Sequence, residues 1–289
     1  MSAPAPGGSA PAGSASGGAG SGGAGSGGAW SAPAVLGLLV AEFRKMLSTA
    51  AWWALMLPAA LIALLVTWVT AAAAGLAFTP SLAQALALGS FAAKFAVVLG
   101  LVCATSENRH RTLTTSYLTA PGRPQLLLAK IVVGGLFGAA CAVFSALFGL
   151  LGMLIGGGGG AVSGTEFSSV LGVSAVSVLV FALWAVLGVG LGTLINNQLA
   201  AIVGVLVYLL LVEQIISGLA SLSNFGRIDD YLPGGSASAS LTGLAGSEPF
   251  GGSFSGLALP WWLALLIFFG YAAVAVLAGA AAAQRRDVT

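Results

Sequence analysis

Six runs of this chain are apolar for long enough to carry a helix across roughly 30 Å of hydrocarbon at about 1.5 Å per residue. They extend from Ala51 to Gly75, Ser81 to Ser106, Gln125 to Ile155, Ser168 to Leu194, Leu199 to Leu219 and Leu259 to Ala283. The expected fold is an all-α integral membrane protein with six transmembrane helices. The composition agrees: 58% of the residues are hydrophobic and 6% are charged, whereas a soluble domain carries about a quarter charged residues to cover its surface in water. A net charge of +2 is too small to suggest a nucleic-acid partner, and the high apolar content excludes a disordered chain.

The remaining sequence divides around these runs. Residues 1–34 are almost all Gly, Ala, Ser and Pro and read as a disordered cytoplasmic tail. The tail lacks the basic start and apolar core of a secretory signal, so it is expected to stay in place. Residues 35–286 form the transmembrane domain and residues 287–289 a short C-terminal tail. Within Val35 to Ser48, Leu36, Leu39, Val40, Phe43 and Leu47 recur at helical spacing, while Glu42, Arg44, Lys45 and Ser48 fall largely elsewhere. This pattern predicts an amphipathic helix lying in the cytoplasmic interface, with an extension of the first span as the alternative.

Basic residues set the orientation. With both termini cytoplasmic, Arg44, Lys45, Arg109, Arg111, Arg123, Lys130, Arg285 and Arg286 all fall inside, against Arg227 outside and Lys94 within a span. That asymmetry is the positive-inside pattern of a protein of the cytoplasmic membrane. Trp52 and Trp53 at the inner end of the first span, with Trp261 and Trp262 at the outer end of the sixth, suit the aromatic belts of the two interfaces.

The inner segment 107–124 concentrates the polar chemistry: Glu107, Asn108, Arg109, His110, Arg111, Thr112, Tyr117, then Pro121, Gly122, Arg123 and Pro124. Asn108 to Ala120 contains no Gly or Pro, which predicts a short helix stopped at Pro121. Such a segment is either a docking surface or a basic loop that fixes topology.

Glu107, Arg109 and Thr112, followed by Pro121, Arg123 and the Ala129-Lys130 pair, resemble the cytoplasmic loop of ABC-2 type transporter permeases, in particular actinobacterial ones. The six spans, the amphipathic helix before them, the very short turn between spans four and five, and an outer Leu232-Pro233-Gly234 motif are similar to the same family over about Val35 to Arg286. Two positions depart from its habit: Arg111 stands where Gly is common, and Ile195-Asn196-Asn197 where a basic residue is common. The resemblance implies a coupling helix within Glu107 to Thr119 that sits in a groove of a separate ATPase. Its coupling residues would be Glu107, Arg109, His110, Arg111, Thr112, Tyr117 and Arg123.

The chain lacks a phosphate-binding loop of its own, because its three lysines are followed by Met46, Phe95 and Ile131 rather than Ser or Thr. ATP and Mg would therefore belong to the partner ATPase, and no cofactor is expected in this chain. His110 is the single histidine, with Glu107 the nearest carboxylate, so neither a zinc-protease helix nor a Ser-His-Asp triad is present. Cys103 and Cys141 lie in apolar runs and read as packing residues. The outer loop, residues 220–258, holds Asp229, Asp230 and Glu248 without the oxygen-ligand spacing of a calcium loop, and reads as a solvated gate or cap. Gly156 to Gly160 reads as an outer turn.

Lys94 in the second span and Glu213 in the fifth place charge at membrane depth. Such groups pair, snorkel or face a pathway. The whole predicts a non-catalytic permease subunit of an ATP-driven exporter, working as a homodimer or heterodimer with a separate P-loop ATPase and moving a hydrophobic or amphipathic substrate. An ATP-independent secondary transporter using Lys94 and Glu213 is the alternative, disfavoured on sequence because no span looks broken at its middle.

Overall fold

The computed structural model describes residues 32–73, 81–110, 123–157, 167–195, 197–222, 228–245 and 259–285. Every regular element among them is helical. Helix α1 covers Ala32–Ser48 and α2 Ala51–Ala72; α3 covers Leu82–Gly89 and continues through a 3-10 turn, Ser90–Ala93, into α4, Lys94–His110. Helix α5 covers Arg123–Ile155 and α6 Phe167–Leu194. Helix α7, Gln198–Val207, runs through a π-helical turn, Tyr208–Val212, into α8, Glu213–Leu222. A 3-10 turn at Ile228–Tyr231, helix α9 over Pro233–Ala245 and helix α10 over Trp261–Arg285 complete the order.

Six helical stretches are long and apolar enough to cross a membrane: Ala51–Ala72, Leu82–Thr105, Pro124–Ile155, Ser168–Leu194, Gln198–Ala220 and Trp261–Gln284. These coincide with the six expected spans to within a few residues. The second starts where the sequence changes from loop to apolar run, because Ser81 caps it. The Ser81 hydroxyl accepts from the Gln84 N–H at 3.3 Å and the Gln84 side chain accepts from the Ser81 N–H at 2.9 Å, a reciprocal box that satisfies two donors the first turn would otherwise strand. At the far end of α5, Gly157 adopts φ +84°, a left-handed conformation that glycine reaches without a Cβ penalty. Gly158 to Gly160, also expected in that turn, lie outside the described residues.

The fourth span is the hub, packing against the second, third and sixth. Small residues make this possible. A Cβ on Gly100 would run into the carbonyl of Ala185, and one on Gly188 into the carbonyl of Val97, so the second and fourth spans meet backbone to backbone. On another side of the fourth span, a Cβ on Gly190 would come within 2.6 Å of the Ala275 backbone of the sixth. Without water to drive helices together in lipid, such close approach supplies the dispersion contacts that hold a bundle. Trp184 and Phe268 fill the space beside it, their ring centroids 4.8 Å apart. Large apolar side chains line the outside instead: Leu61, Leu65, Leu136, Leu147, Leu179, Leu199 and Leu266 are all exposed, as a surface facing hydrocarbon requires.

Helix α1 differs in one respect from the amphipathic reading. Its apolar ridge, Leu36, Val40, Phe43 and Leu47, is exposed, while Glu42 and Met46 are the residues buried against the bundle. The helix packs mainly on α5, where Phe43 meets Phe137 at 5.4 Å. Burying a carboxylate is costly without a partner, and the partner lies on α5.

Candidate functional site: a charged end and a cavity in the other half

Polar chemistry gathers at two places in the bundle. At one end, Glu42 of α1 meets Lys130 of α5 at 3.3 Å, and both side chains are buried. Lys45, one turn along α1, reaches the other Glu42 oxygen at 3.5 Å. Met46 and Thr49 lie near Val102 and Cys103 of α4 around a small cavity of about 20 Å³, and the Cys103 thiol points at the Lys130 carbonyl from 4.0 Å. At the same end, Pro124 and Leu127 of α5 face Ala280 and Gln284 of α10 across a cavity of about 250 Å³. The basic ends of spans one, two, three and six are thus collected on one side of the bundle.

Helix α4 carries the segment next to this end. It continues past the apolar run, which stops at Thr105, as far as His110. Glu107, Arg109 and His110 therefore belong to the helix of the second span, and the separate helix expected from Asn108 does not begin there. No Gly or Pro lies between Leu101 and His110, so nothing local forces a break at the membrane surface. Arg123 opens helix α5. The side chains of Glu107, Arg109, His110 and Arg123 lie outside the described ones, and Arg111, Thr112 and Tyr117 lie outside the described residues altogether.

The second place is in the other half of the bundle, where Glu213 and Lys94 lie. Glu213 is 3% exposed, and its Oε1 accepts from the backbone N–H groups of Gly234 at 2.7 Å and Gly235 at 2.9 Å. These are the first-turn amides of α9, the orphan donors of a helix N-terminus, where a carboxylate is favoured by both hydrogen bonding and the helix dipole. Pro233 opens that helix with its ring pre-set for the first turn. A Cβ on Gly234 would sit 2.5 Å from Glu213 Oε2, so glycine is what lets the carboxylate close on the backbone. Glu213 Oε2 is buried and has no hydrogen-bond partner. Tyr271 of the sixth span fixes the approach to α9 by donating to the Tyr231 carbonyl at 2.9 Å.

The segment read as a solvated loop thus contains a buried helix. Pro233, Gly234, Ser236, Ala237, Ala239, Ser240 and Leu241 are all buried, and α9 packs on α10 and α6. Its hydroxyls fit because each returns its hydrogen to the helix: Ser236 to Pro233, Ser238 to Gly234, Ser240 to Ala237 and Thr242 to Ser238. Asp229 and Asp230 sit in the turn before α9, with Asp230 buried; Arg227 and Glu248 lie outside the described residues.

No ion pair within 4.0 Å joins Lys94 to Glu213; the described pairs are those of Glu42. Glu213 is held by α9 instead. The Lys94 ammonium lies 3.9 Å from the centroid of the Phe91 ring, a cation–π contact. It lines a cavity of about 170 Å³ together with Ser90, Phe91, Trp184, Ser238 and Thr242. Each charged residue directly follows a local irregularity: the 3-10 turn Ser90–Ala93 precedes Lys94, and the π turn Tyr208–Val212 precedes Glu213. The spans that carry Lys94 and Glu213 thus change helical type along their length, while each stays one continuous helical stretch. Cys103 and Cys141 are buried and form no disulfide, and no group of three or more His, Cys, Asp or Glu residues suited to a metal occurs among the described residues.

No protein-family model matches this chain, and a comparison with curated proteins finds no match either.

Proposed function

We propose that the chain is the non-catalytic membrane subunit of an ATP-driven exporter of the ABC-2 type. The observation that carries this reading is the charged end of the bundle: a helix of the second span runs on beyond its apolar stretch to bear Glu107, Arg109 and His110, and the third span restarts at Arg123. The resemblance of Glu107 to Lys130 to permease coupling loops gives that end its role. A push on the loop would act on two long helices at once. The Glu42–Lys130 pair would then carry it to α1, because a buried ion pair resists separation. Positive-inside asymmetry supports placing this end, and both chain termini, in the cytoplasm, with the outward apolar ridge of α1 resting in the interfacial region.

In this reading a separate P-loop ATPase binds ATP and Mg, and two permease subunits, identical or different, face one another across the pathway in the cytoplasmic membrane. The cargo is hydrophobic or amphipathic. The test is co-purification. The reading expects a P-loop ATPase to be encoded beside this chain; co-expressed with it, that ATPase should remain bound in a mild neutral detergent, and Glu107→Ala with Arg123→Ala should release it while the permease still inserts. Failure of the unaltered chain to retain the ATPase would count against the proposal.

A second reading has one specific observation in its favour. Irregular turns beside intramembrane charges are how many ion-coupled transporters place binding groups near the membrane middle, and Lys94 and Glu213 follow such turns. Transport driven by an ion or proton gradient in the absence of any ATPase would support that reading over the first.

A further inference from the structure

The cavity beside Lys94 has the makings of a ligand site. It encloses about 170 Å³, and an apolar cavity of about 150 Å³ is known to hold a molecule the size of benzene. Its lining combines aromatic and aliphatic walls, Phe91, Trp184 and Leu241, with Ser90, Ser238, Thr242 and the single cation Lys94. Phe91 is 48% exposed while Trp184 is 2% exposed, so the cavity runs from the surface of the second span to the packed centre of the bundle. Lys94 is without a carboxylate within 4.0 Å among the described residues, and an ammonium at membrane depth favours an anionic partner.

The neighbouring groups narrow what that partner is. Glu213 is behind Gly234 rather than on the wall, and one of its oxygens is already held by two backbone N–H groups. A cation would find no carboxylate on the wall. The hydroxyls of Ser90, Ser238 and Thr242 spend their hydrogens on the carbonyls of Ala87, Gly234 and Ser238, so they offer an anion no donor and leave Lys94 as its polar anchor. Only Lys94 answers negative charge there, and Glu213 nearby opposes a second one. One positive charge beside apolar walls suits a monoanionic group attached to a hydrocarbon body.

We propose that this cavity binds the head of an anionic amphiphile, a carboxylate or a phosphodiester, with Lys94 as its counter-charge and the Phe91–Trp184 side taking the adjoining methylenes. Binding does not rest on the exporter reading, because it needs only this chain; whether the ligand is also exported is a separate matter.

The test is equilibrium binding to the purified full chain in a neutral detergent, followed by the shift in thermal unfolding. The probes are laurate, dodecanol, dodecyltrimethylammonium, acetate and dimethyl phosphate. Laurate should raise the unfolding temperature, with dodecanol and the cationic amphiphile giving no comparable rise. Lys94→Met should weaken laurate binding at least about tenfold, and Lys94→Arg should keep it within about threefold. Ser238→Leu leaves the charge in place and fills part of the cavity, so it should also weaken binding and serves if Lys94→Met does not fold. Acetate or dimethyl phosphate binding as well as laurate would identify a free anion as the source and keep the Lys94 site. Absence of anion binding, equal binding to Lys94→Met, or equal binding of dodecanol would overturn the proposal.

Discussion

Glu42 and Lys130 form a 3.3 Å ion pair between the N-terminal helix and the third span, with side chains 7% and 5% exposed. Removing one member takes its ion-pair partner from the other in a low-dielectric site, at a cost of up to about 3 kcal/mol that the Lys45 contact to Glu42 at 3.5 Å reduces in the Lys130 variant, whereas removing both leaves neither charge facing a lost partner. Glu42→Gln and Lys130→Met are each expected to lower the unfolding temperature in detergent more than the double variant does. Strictly additive losses in the four-protein comparison would show that the pair is not a unit.

Glu213 anchors helix α9 by its first-turn amides. Glu213→Ala should therefore increase hydrogen exchange at Gly234 and Gly235 by at least about tenfold, the loss of a charge-assisted bond worth roughly 1.5 to 3 kcal/mol. Gly234→Ala should do the same, because its methyl group would displace the carboxylate. Since both act on one contact, the double variant should exchange little faster than either single one. Unchanged protection in Glu213→Ala would remove the anchor from the account.

The crossing of spans two and four admits no side chain at Gly100 or Gly188. Gly100→Val and Gly188→Val are expected to prevent stable folding, since neither backbone can yield without moving a whole helix. Gly204→Ala and Gly270→Ala are the controls: nothing lies within 4 Å of either added methyl, and helix propensity favours Ala by up to about 1 kcal/mol. Comparable accumulation of all four variants in the membrane would contradict the close crossing.

Topology has its own measurement. On a background lacking Cys103 and Cys141, single cysteines at Ser116 and Gln284 should be shielded from an impermeant thiol reagent in intact cells, and one at Ser238, which is exposed, should react. Labelling of Ser116 from outside would invert the assignment of the charged end.

The positions of the spans were legible because unbroken apolar length is a local signal. Other features depended on partners the sequence does not align. Glu42 falls on the polar side of α1 by spacing, but Lys130 is 88 residues away, and only the packing of α1 on α5 turns that side inward. Helix α9 reads as loop because Gly and Ser are abundant in it; small size is what lets it pack, and self-bonded hydroxyls are what let it be buried. The Ser81–Gln84 box carries a recognisable signature, Ser followed three residues later by Gln before an apolar run, which fixes the start of the second span. Gly89-Ser90 hints at the 3-10 turn before Lys94, whereas Tyr208 to Val212 contains nothing that marks a π turn.

The most direct measurement of the central claim is ATP hydrolysis by the partner ATPase, assayed with and without this chain in lipid nanodiscs. The exporter account expects the ATPase to bind the chain and its hydrolysis rate to change severalfold on binding. It expects Glu107→Ala with Arg123→Ala to abolish that change while leaving the ATPase's own basal rate intact. A hydrolysis rate indifferent to the chain, together with gradient-driven transport by the chain alone, would contradict it.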